Sequence, residues 1–258
     1  MSKPLIFVTN DDGINAPGLR ALARALESLG EVILAAPADE KSAVSHSLTI
    51  HHPVRIWPVG KRRFAVTGTP VDCVLFGLQK LTDRKPDLLV SGINAGANVG
   101  DDTLYSGTVA AAREGSLYQV CSIAVSHAIL NSKPDYLAAA EFTRDLAAAV
   151  LKEGLPPGVF LNLNFPAGKP IGVKITRQGT KEIQDSLISE KDDPRGQKYY
   201  WIGQDVNDFT GEPDTDYFAL KNGYISISPL QRDATAYRAL EAIQSFALSH
   251  RNGDRKRK

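Results

Sequence analysis

Short apolar runs alternate with helical patterns through the first half of this sequence, and such alternation is typical of βαβ units. The segments Leu5–Thr9 and Glu31–Ala36 are apolar and short, which suits buried strands rather than helices. Between them, leucines recur at helical spacing at Leu19, Leu22, Leu26 and Leu29. A strand, an amphipathic helix and a second strand are therefore predicted at the start of the chain.

The alternation continues toward the middle of the chain. Further strands are predicted at Phe64–Val66, Asp87–Ser91 and Cys121–Ser126. Helices are predicted at Val71–Leu81, Val109–Leu117 and Tyr136–Leu151. This order predicts an α/β fold with three layers, in which helices cover both faces of a mostly parallel sheet.

The second half departs from this rhythm. Strands are predicted at Val159–Asn164, Ile171–Arg177 and Gly223–Ser228, and a terminal helix at Ala234–Leu248. The polar, aromatic-rich stretch before the last strand predicts an extended hairpin or protruding arm. We expect a single domain over 1–258, with a core at 1–176, the arm at 177–218, and the last strand and terminal helix at 219–258.

Composition limits the partners and the compartment. With 258 residues and 43% hydrophobic content the chain can bury a substantial core, and its net charge of +1 argues against stable nucleic-acid binding. Cys73 and Cys121 lie in apolar stretches, which suits a reducing compartment, so a cytoplasmic location is expected. The short apolar run before Asn10 predicts neither a signal peptide nor a membrane segment.

Polar loops follow several predicted strands and are candidates for the functional site. In doubly wound sheets with right-handed crossovers, the loops after parallel strands meet at one edge, where ligands bind. The loops here contain Asn10–Gly13, Lys41–Ser42, Ser91–Asn94 and Ala95–Gly107. We expect these distant segments to be neighbours in the fold.

Asp11 and Asp12 are candidate ligands for a divalent cation, since Mg²⁺ and Mn²⁺ prefer oxygen and Mg²⁺ usually takes one or two carboxylates. Ser42 and Asn94 would add neutral oxygen ligands. Asp-Asp-Gly is also common in turns, and single Ser or Asn residues often cap loops. The segment Asn10–Gly13 alone is therefore consistent with either a turn or a metal site.

The stretch from Asn94 through Ser106–Thr108 has the composition of a phosphate-binding segment. Its small residues allow backbone N–H groups to approach an anion, and the following helix N-terminus adds a favourable dipole. Neither a Walker A sequence nor the dinucleotide glycine spacing is present in it. A plain flexible loop is the alternative.

Several motifs in a fixed order are more specific than any one of them. The sequence resembles the SurE family of stationary-phase survival phosphatases in Val8–Gly13, Glu40–Ala43 with His46 and Ser47, Thr67–Cys73, Val90–Asn94 and Ser106–Val109. The resemblance implies a Rossmann-like core, 5′-nucleotidase activity, often with 3′-nucleotidase or short-polyphosphate activity, and a homodimer or homotetramer. It also implies one divalent cation per subunit, Mg²⁺ or Mn²⁺.

The resemblance assigns roles to individual positions. The implied metal ligands are Asp11, Asp12, Ser42 and Asn94. The implied phosphate-binding residues are Asn98, Ser106, Gly107 and Thr108, and the implied catalytic residues are Asp11, Asp12, Asn98 and Ser106. The implied substrate is a nucleoside monophosphate.

Two alternatives to metal-dependent hydrolysis remain. An aspartyl-phosphate phosphatase would use Asp11 as its nucleophile, although such enzymes typically need a second acid where Gly13 stands here. A non-catalytic sensor would bind the nucleotide without turnover. Asp72 is expected to cap or anchor the next helix and is kept outside the site. His46 could approach the pocket from the loop that contains Ser42, but a lone loop histidine is more often structural or solvated, so it is a weak candidate.

Overall fold

A computed structural model describes residues 3–129, 134–180, 188–203 and 212–244 of the chain. Nine strands form one large sheet, and two more form a separate hairpin. The strands of the large sheet are β1 Leu5–Thr9, β2 Glu31–Pro37, β3 Ile56–Gly60, β4 Arg63–Val66, β5 Leu88–Ala95, β6 Cys121–His127, β7 Val159–Phe165, β8 Gly172–Ile175 and β11 Tyr224–Gln231. The hairpin consists of β9 Ile188–Asp192 and β10 Lys198–Ile202.

The order of strands in the large sheet is β3-β4-β2-β1-β5-β6-β7-β11-β8. From β4 to β7 in this order, all the pairs of adjacent strands are parallel. Strand β3 is antiparallel to β4, strand β11 is antiparallel to β7, and β8 is parallel to β11. The chain therefore builds outward from β1 through β2 and β4, then returns to place β5 on the other side of β1. The predicted α/β fold with a mostly parallel sheet is confirmed.

Helices cover both faces of this sheet. The helices of the described residues are α1 Pro17–Leu26, α2 Pro70–Phe76, α3 Gly107–Leu117, α4 Tyr136–Glu153, α5 Asp216–Lys221 and α6 Leu240–Gln244. Helices α1 and α4 pack together on one face, and α2 and α3 pack together on the other. Alternation along β1 separates the two cores, because Ile6 and Val8 face α1 while Phe7 faces α2.

One crossover differs from the expectation that all have the same hand. The connections from β5 to β6 and from β6 to β7 step in the same direction across the sheet. Their helices, α3 and α4, lie on opposite faces, so the two connections have opposite hands. The loops after these parallel strands still emerge at one edge, as expected.

The structure also differs from the predicted secondary structure in three places. The edge strand β3 was not predicted, helix α2 continues as a π-helical turn at Gly77–Leu81, and the terminal helical segment begins at Tyr237 as a 3-10 turn before α6. Residues 245–248 of the predicted terminal helix lie outside the described residues.

The arm predicted after the core contains the β9–β10 hairpin. Its strands are exposed, with Tyr200 59% and Trp201 60% accessible. The resemblance to the SurE family also implies that this arm serves oligomerisation. That role and the boundaries at 176 and 218 remain predictions. Across the described ranges, no helix has the length and apolarity needed to cross a bilayer.

Candidate functional site

The candidate site lies at the carboxyl edge of the sheet where the strand order reverses. Strand β1 pairs with β2 on one side and with β5 on the other, and such a reversal is where open α/β sheets bind ligands. The loop after β1 turns tightly, since the Asn10 side chain donates to the carbonyl of Gly13 at 3.1 Å and Gly13 has φ of +96°. This turn directs Asp11 and Asp12 into the edge.

Asp11 is bound by the first turn of α3. Its carboxylate accepts a hydrogen bond from the Thr108 hydroxyl and another, at 3.1 Å, from the Thr108 backbone N–H. Gly107 permits this approach, because a β-carbon there would lie 2.9 Å from the Asp11 β-carbon. Asp11 is buried, with 4% of its surface exposed. Its hydrogen bonds to Thr108 join the loop after β1 to the start of α3.

The electrostatics of Asp11 follow from its burial. Burial, with a smaller contribution from the charge of Asp12, raises the pKa of the Asp11 carboxyl from 3.8 to about 6, although the Thr108 hydrogen bonds lower it. A negative charge is therefore costly at this position without a cation. The positive end of the α3 dipole offsets part of that cost.

Asp12 reaches the end of β5. Its carboxylate accepts a hydrogen bond from the Ala95 backbone N–H at 3.0 Å. Asp12 is thereby bound to the residue that directly follows Asn94. Burial raises the Asp12 pKa, and the charge of Glu40 adds to that effect. Burial and the Asp12 charge also raise the pKa of the Tyr136 phenol at the start of α4.

The loop that contains Ser42 is attached to the same edge. The Lys41 backbone N–H donates to the Asp11 carbonyl at 2.8 Å, and the Ser42 hydroxyl donates to the Glu40 carboxylate at 2.7 Å. Farther along, His46 Nε2 lies 2.7 Å from a carboxylate oxygen of Glu114 on α3. His46 therefore holds this loop against α3.

Asp72 caps α2, as expected. Its side chain accepts from the Thr69 backbone N–H while the Thr69 hydroxyl accepts from the Asp72 N–H, which is a capping box. Asp72 also accepts from the hydroxyl and backbone N–H of Thr49. It thus anchors the far end of the Ser42 loop.

Asn98 is held by side chains that the sequence reasoning did not identify. Its backbone N–H donates to Asn164 Oδ1 at 2.8 Å, and its carbonyl accepts from the side chains of Asn162 and Asn164. Its own side-chain amide donates to the Ser126 hydroxyl at 2.7 Å. The signal for this network is the pair of asparagines at alternate positions of the otherwise apolar strand β7.

Asp216 is a second anchoring residue near the site that the sequence reasoning missed. This fully buried carboxylate accepts from the backbone N–H groups of Gly100, Gly179 and Tyr217 at 2.8 to 2.9 Å. It therefore fixes the segment that follows Asn98. The sequence around Asp216 does not indicate this role, because a lone aspartate at the start of a short helix usually acts only as a cap.

Ser106 begins α3 as its N-cap. Its hydroxyl accepts a hydrogen bond from the Val109 backbone N–H at 3.1 Å, so the helix starts next to Asp11 with Gly107 as its first residue. The Thr108 N–H is used by Asp11. The Gly107 N–H has no intrahelical acceptor, as is usual in a first turn, and can serve an anion beside Asp11.

The sequence matches the family described as Survival protein SurE over residues 6–185. The chain belongs to the SurE family. Its relatives named 5′-nucleotidase SurE include those of Syntrophotalea carbinolica, 46% identical over 95% of this chain and 98% of the relative, and of Geobacter sulfurreducens, 47% identical over 95% and 94%. The crystal structure of a SurE protein from Aquifex aeolicus superposes with a TM-score of 0.84 at 38% identity, covering 94% of this chain and 99% of that one.

The oxygen groups at this edge of the SurE-family fold are suited to a hard divalent cation. Asp11 and Asp12 each have carboxylate lone pairs beyond the hydrogen bonds described, and the Asn94 side chain donates through its nitrogen to Gly96, which leaves its carbonyl oxygen as an acceptor. In the part of the chain described, no three His, Cys, Asp or Glu side chains cluster as a metal site. Neutral oxygens must therefore complete any coordination by the two aspartates.

Proposed function

We propose that this chain is a metal-dependent 5′-nucleotidase that hydrolyses nucleoside 5′-monophosphates to nucleoside and phosphate. The observation that carries the proposal is the buried Asp11 carboxylate held against the N-terminus of α3, with Asp12 beside it. Near-full-length relatives named 5′-nucleotidase SurE support the reaction type. The proposal extends to 3′-nucleotides and short polyphosphate as further substrates.

The proposed metal ligands are Asp11, Asp12, Ser42 and Asn94. Their two carboxylates, hydroxyl and amide carbonyl are all hard oxygen donors, and the raised pKa of Asp11 reflects a buried negative charge that a cation would compensate. A divalent cation bound there would polarise a phosphoryl oxygen and acidify a water molecule. We propose one Mg²⁺ or Mn²⁺ ion per subunit.

The proposed phosphate-binding residues are Asn98, Ser106, Gly107 and Thr108. The helix dipole and the Gly107 N–H would stabilise the charge that develops on the phosphoryl oxygens, while Thr108 keeps Asp11 oriented. The anchoring of Asn98 by β7 supports this assignment, because a pre-organised donor does not need to be ordered during the reaction.

Hydrolysis also requires a group that accepts the proton of the attacking water. The Asp11–Asp12 pair is the proposed acceptor, because Asp11 is held at the N-terminus of α3, where the phosphate would bind, and Asp12 is its neighbour in the chain. The two carboxylates interact, so they titrate as a pair. The water oxygen would then bond to phosphorus as the bond from phosphorus to the nucleoside oxygen breaks, and the proton taken from water would pass to that nucleoside oxygen.

The test is phosphate release from AMP and GMP with Mn²⁺ or Mg²⁺, repeated with a chelator. We expect turnover that the chelator abolishes and that Asp11→Asn reduces by at least about a hundredfold. The matched control is Asp83→Asn, which removes an exposed carboxylate away from this edge and should keep full activity. Nucleotide binding without phosphate release would instead identify a sensor.

A further inference from the structure

A cavity with charged walls and an apolar floor lies on the face of the sheet that carries α1, away from the two aspartates. It has a volume of about 340 Å³, at the low end of the range of roughly 300–1,000 Å³ seen for small-molecule sites. Its floor contains Val32 and Leu34 of β2 and Ala23 of α1. Its polar lining consists of Arg20, Arg24, Glu27, Lys61, Arg62 and Arg63.

These polar side chains come from two separate elements. Arg20 and Arg24 lie one helical turn apart on the exposed side of α1, opposite the buried Leu19 and Leu22. Lys61 and Arg62 form the turn that joins β3 and β4, and Arg63 is the first residue of β4. Arg63 pairs in register with Leu34, which places the turn over the floor of the cavity.

The positive charge of this cavity is largely uncompensated. Among the described residues, only Arg62 of the five cations forms an ion pair, at 2.6 Å from Glu31. Arg63 is half-buried, and its Nε is fully buried with no hydrogen-bond acceptor among the described atoms.

This concentration of charge is local. The whole chain has 30 basic and 29 acidic residues, so five cations and one carboxylate around one cavity are not a consequence of composition. Guanidinium groups bind phosphate oxygens through paired hydrogen bonds. The cavity is small, and the rest of the chain has 25 basic residues (30 less 5) and 28 acidic residues (29 less 1). Both features favour a small polyanion over a polynucleotide.

We propose that this cavity, lined by α1, β2 and the β3–β4 turn, binds a di- or triphosphate chain, either inorganic or carried by a nucleoside. The four cations without an ion pair would contact the phosphates, and the apolar floor is available to a nucleoside. The site is separate from Asp11 and Asp12, so the inference does not depend on the proposed nucleotidase activity.

Isothermal titration calorimetry with inorganic triphosphate tests the proposal. The full chain is titrated at near-physiological salt in the presence of a chelator, so that no cation at the aspartates can recruit the anion. We expect one triphosphate per chain, with affinity at least about tenfold weaker in Arg20→Glu and in Arg24→Glu. Both side chains are exposed on a helix, and we expect both variants to fold and to release phosphate from AMP as the parent does.

The matched control is Arg195→Glu, which makes the same charge change in the hairpin turn and should keep the parental affinity. The proposal is overturned if the parent binds no triphosphate at millimolar concentration, or if Arg195→Glu weakens binding as much as the cavity variants do. A parallel titration with a nucleoside triphosphate distinguishes the sources. Tighter binding of the nucleoside form assigns the apolar floor to the nucleoside, whereas equal affinity assigns the site to the phosphate chain alone.

Discussion

Replacing Asp11 with asparagine is expected to stabilise the metal-free protein at alkaline pH while it removes activity. Asparagine has the same shape, and its carbonyl can accept from the Thr108 N–H while its amide donates to the Thr108 hydroxyl, so both contacts to α3 are retained. What the variant lacks is the buried negative charge.

The size of the effect follows from the pKa of Asp11. Because one pKa unit corresponds to about 1.4 kcal/mol, a rise from 3.8 to about 6 corresponds to a destabilisation of up to about 3 kcal/mol when the carboxylate is ionised. The folded protein binds this proton more tightly than the unfolded chain does. The contribution of Asp11 to stability is therefore fully present below pH 3.8 and is lost as the pH rises through about 6.

The assay is urea unfolding of both proteins in a chelator at several pH values. We expect Asp11→Asn to exceed the parent in free energy of unfolding by up to about 3 kcal/mol at pH 8, and by roughly half as much at pH 5. Added Mn²⁺ should stabilise the parent more than the variant. A variant that is equally stable or less stable than the parent at pH 8 would show that Asp11 carries no uncompensated charge, and would refute the reasoning.

Three other substitutions test the contacts around Asp11 and Asn98. Thr108→Val removes a hydroxyl that lowers the pKa of Asp11, so the acidic limb of the pH–rate profile should move to higher pH, and Thr108→Ser should restore it. Gly107→Ala places a β-carbon 2.9 Å from that of Asp11 and should reduce AMP hydrolysis by roughly 10- to 100-fold, and parental activity would contradict the close packing. Asp216→Asn sets an amide against the Gly100 N–H and should lower the urea-unfolding free energy by about 1–3 kcal/mol, whereas an unchanged value would argue against this anchor.

The elements that sequence predicted well are those whose pattern is set by local burial. Strand β1 and strand β2 are apolar runs in the middle of the sheet, and α1 has a leucine stripe that faces the core. Strand β3 was missed because it is an exposed edge strand that contains Pro58, which is unusual within a sheet. Its pairing with β4 depends on tertiary context rather than on an apolar run.

The residues of the candidate site were easier to identify than their contacts. Sequence motifs gave Asp11 and Thr108 as members of two separate groups, a metal site and a phosphate segment. Their direct hydrogen bonds join positions 97 residues apart, which only the order of strands brings together. Asp216 was missed for the same reason, since the backbone groups that it binds at Gly100 are 116 residues away.

The hydrogen bonds between Asp11 and Thr108 also determine when the candidate site can form during synthesis of the chain. Strand β1 and its aspartates emerge from the ribosome early, but the helix that orients the first carboxylate follows almost a hundred residues later. A nascent chain that ends before α3 therefore carries both acidic side chains without the donors that fix them. Neither a truncated chain nor an isolated β1–α1–β2 fragment can assemble this constellation.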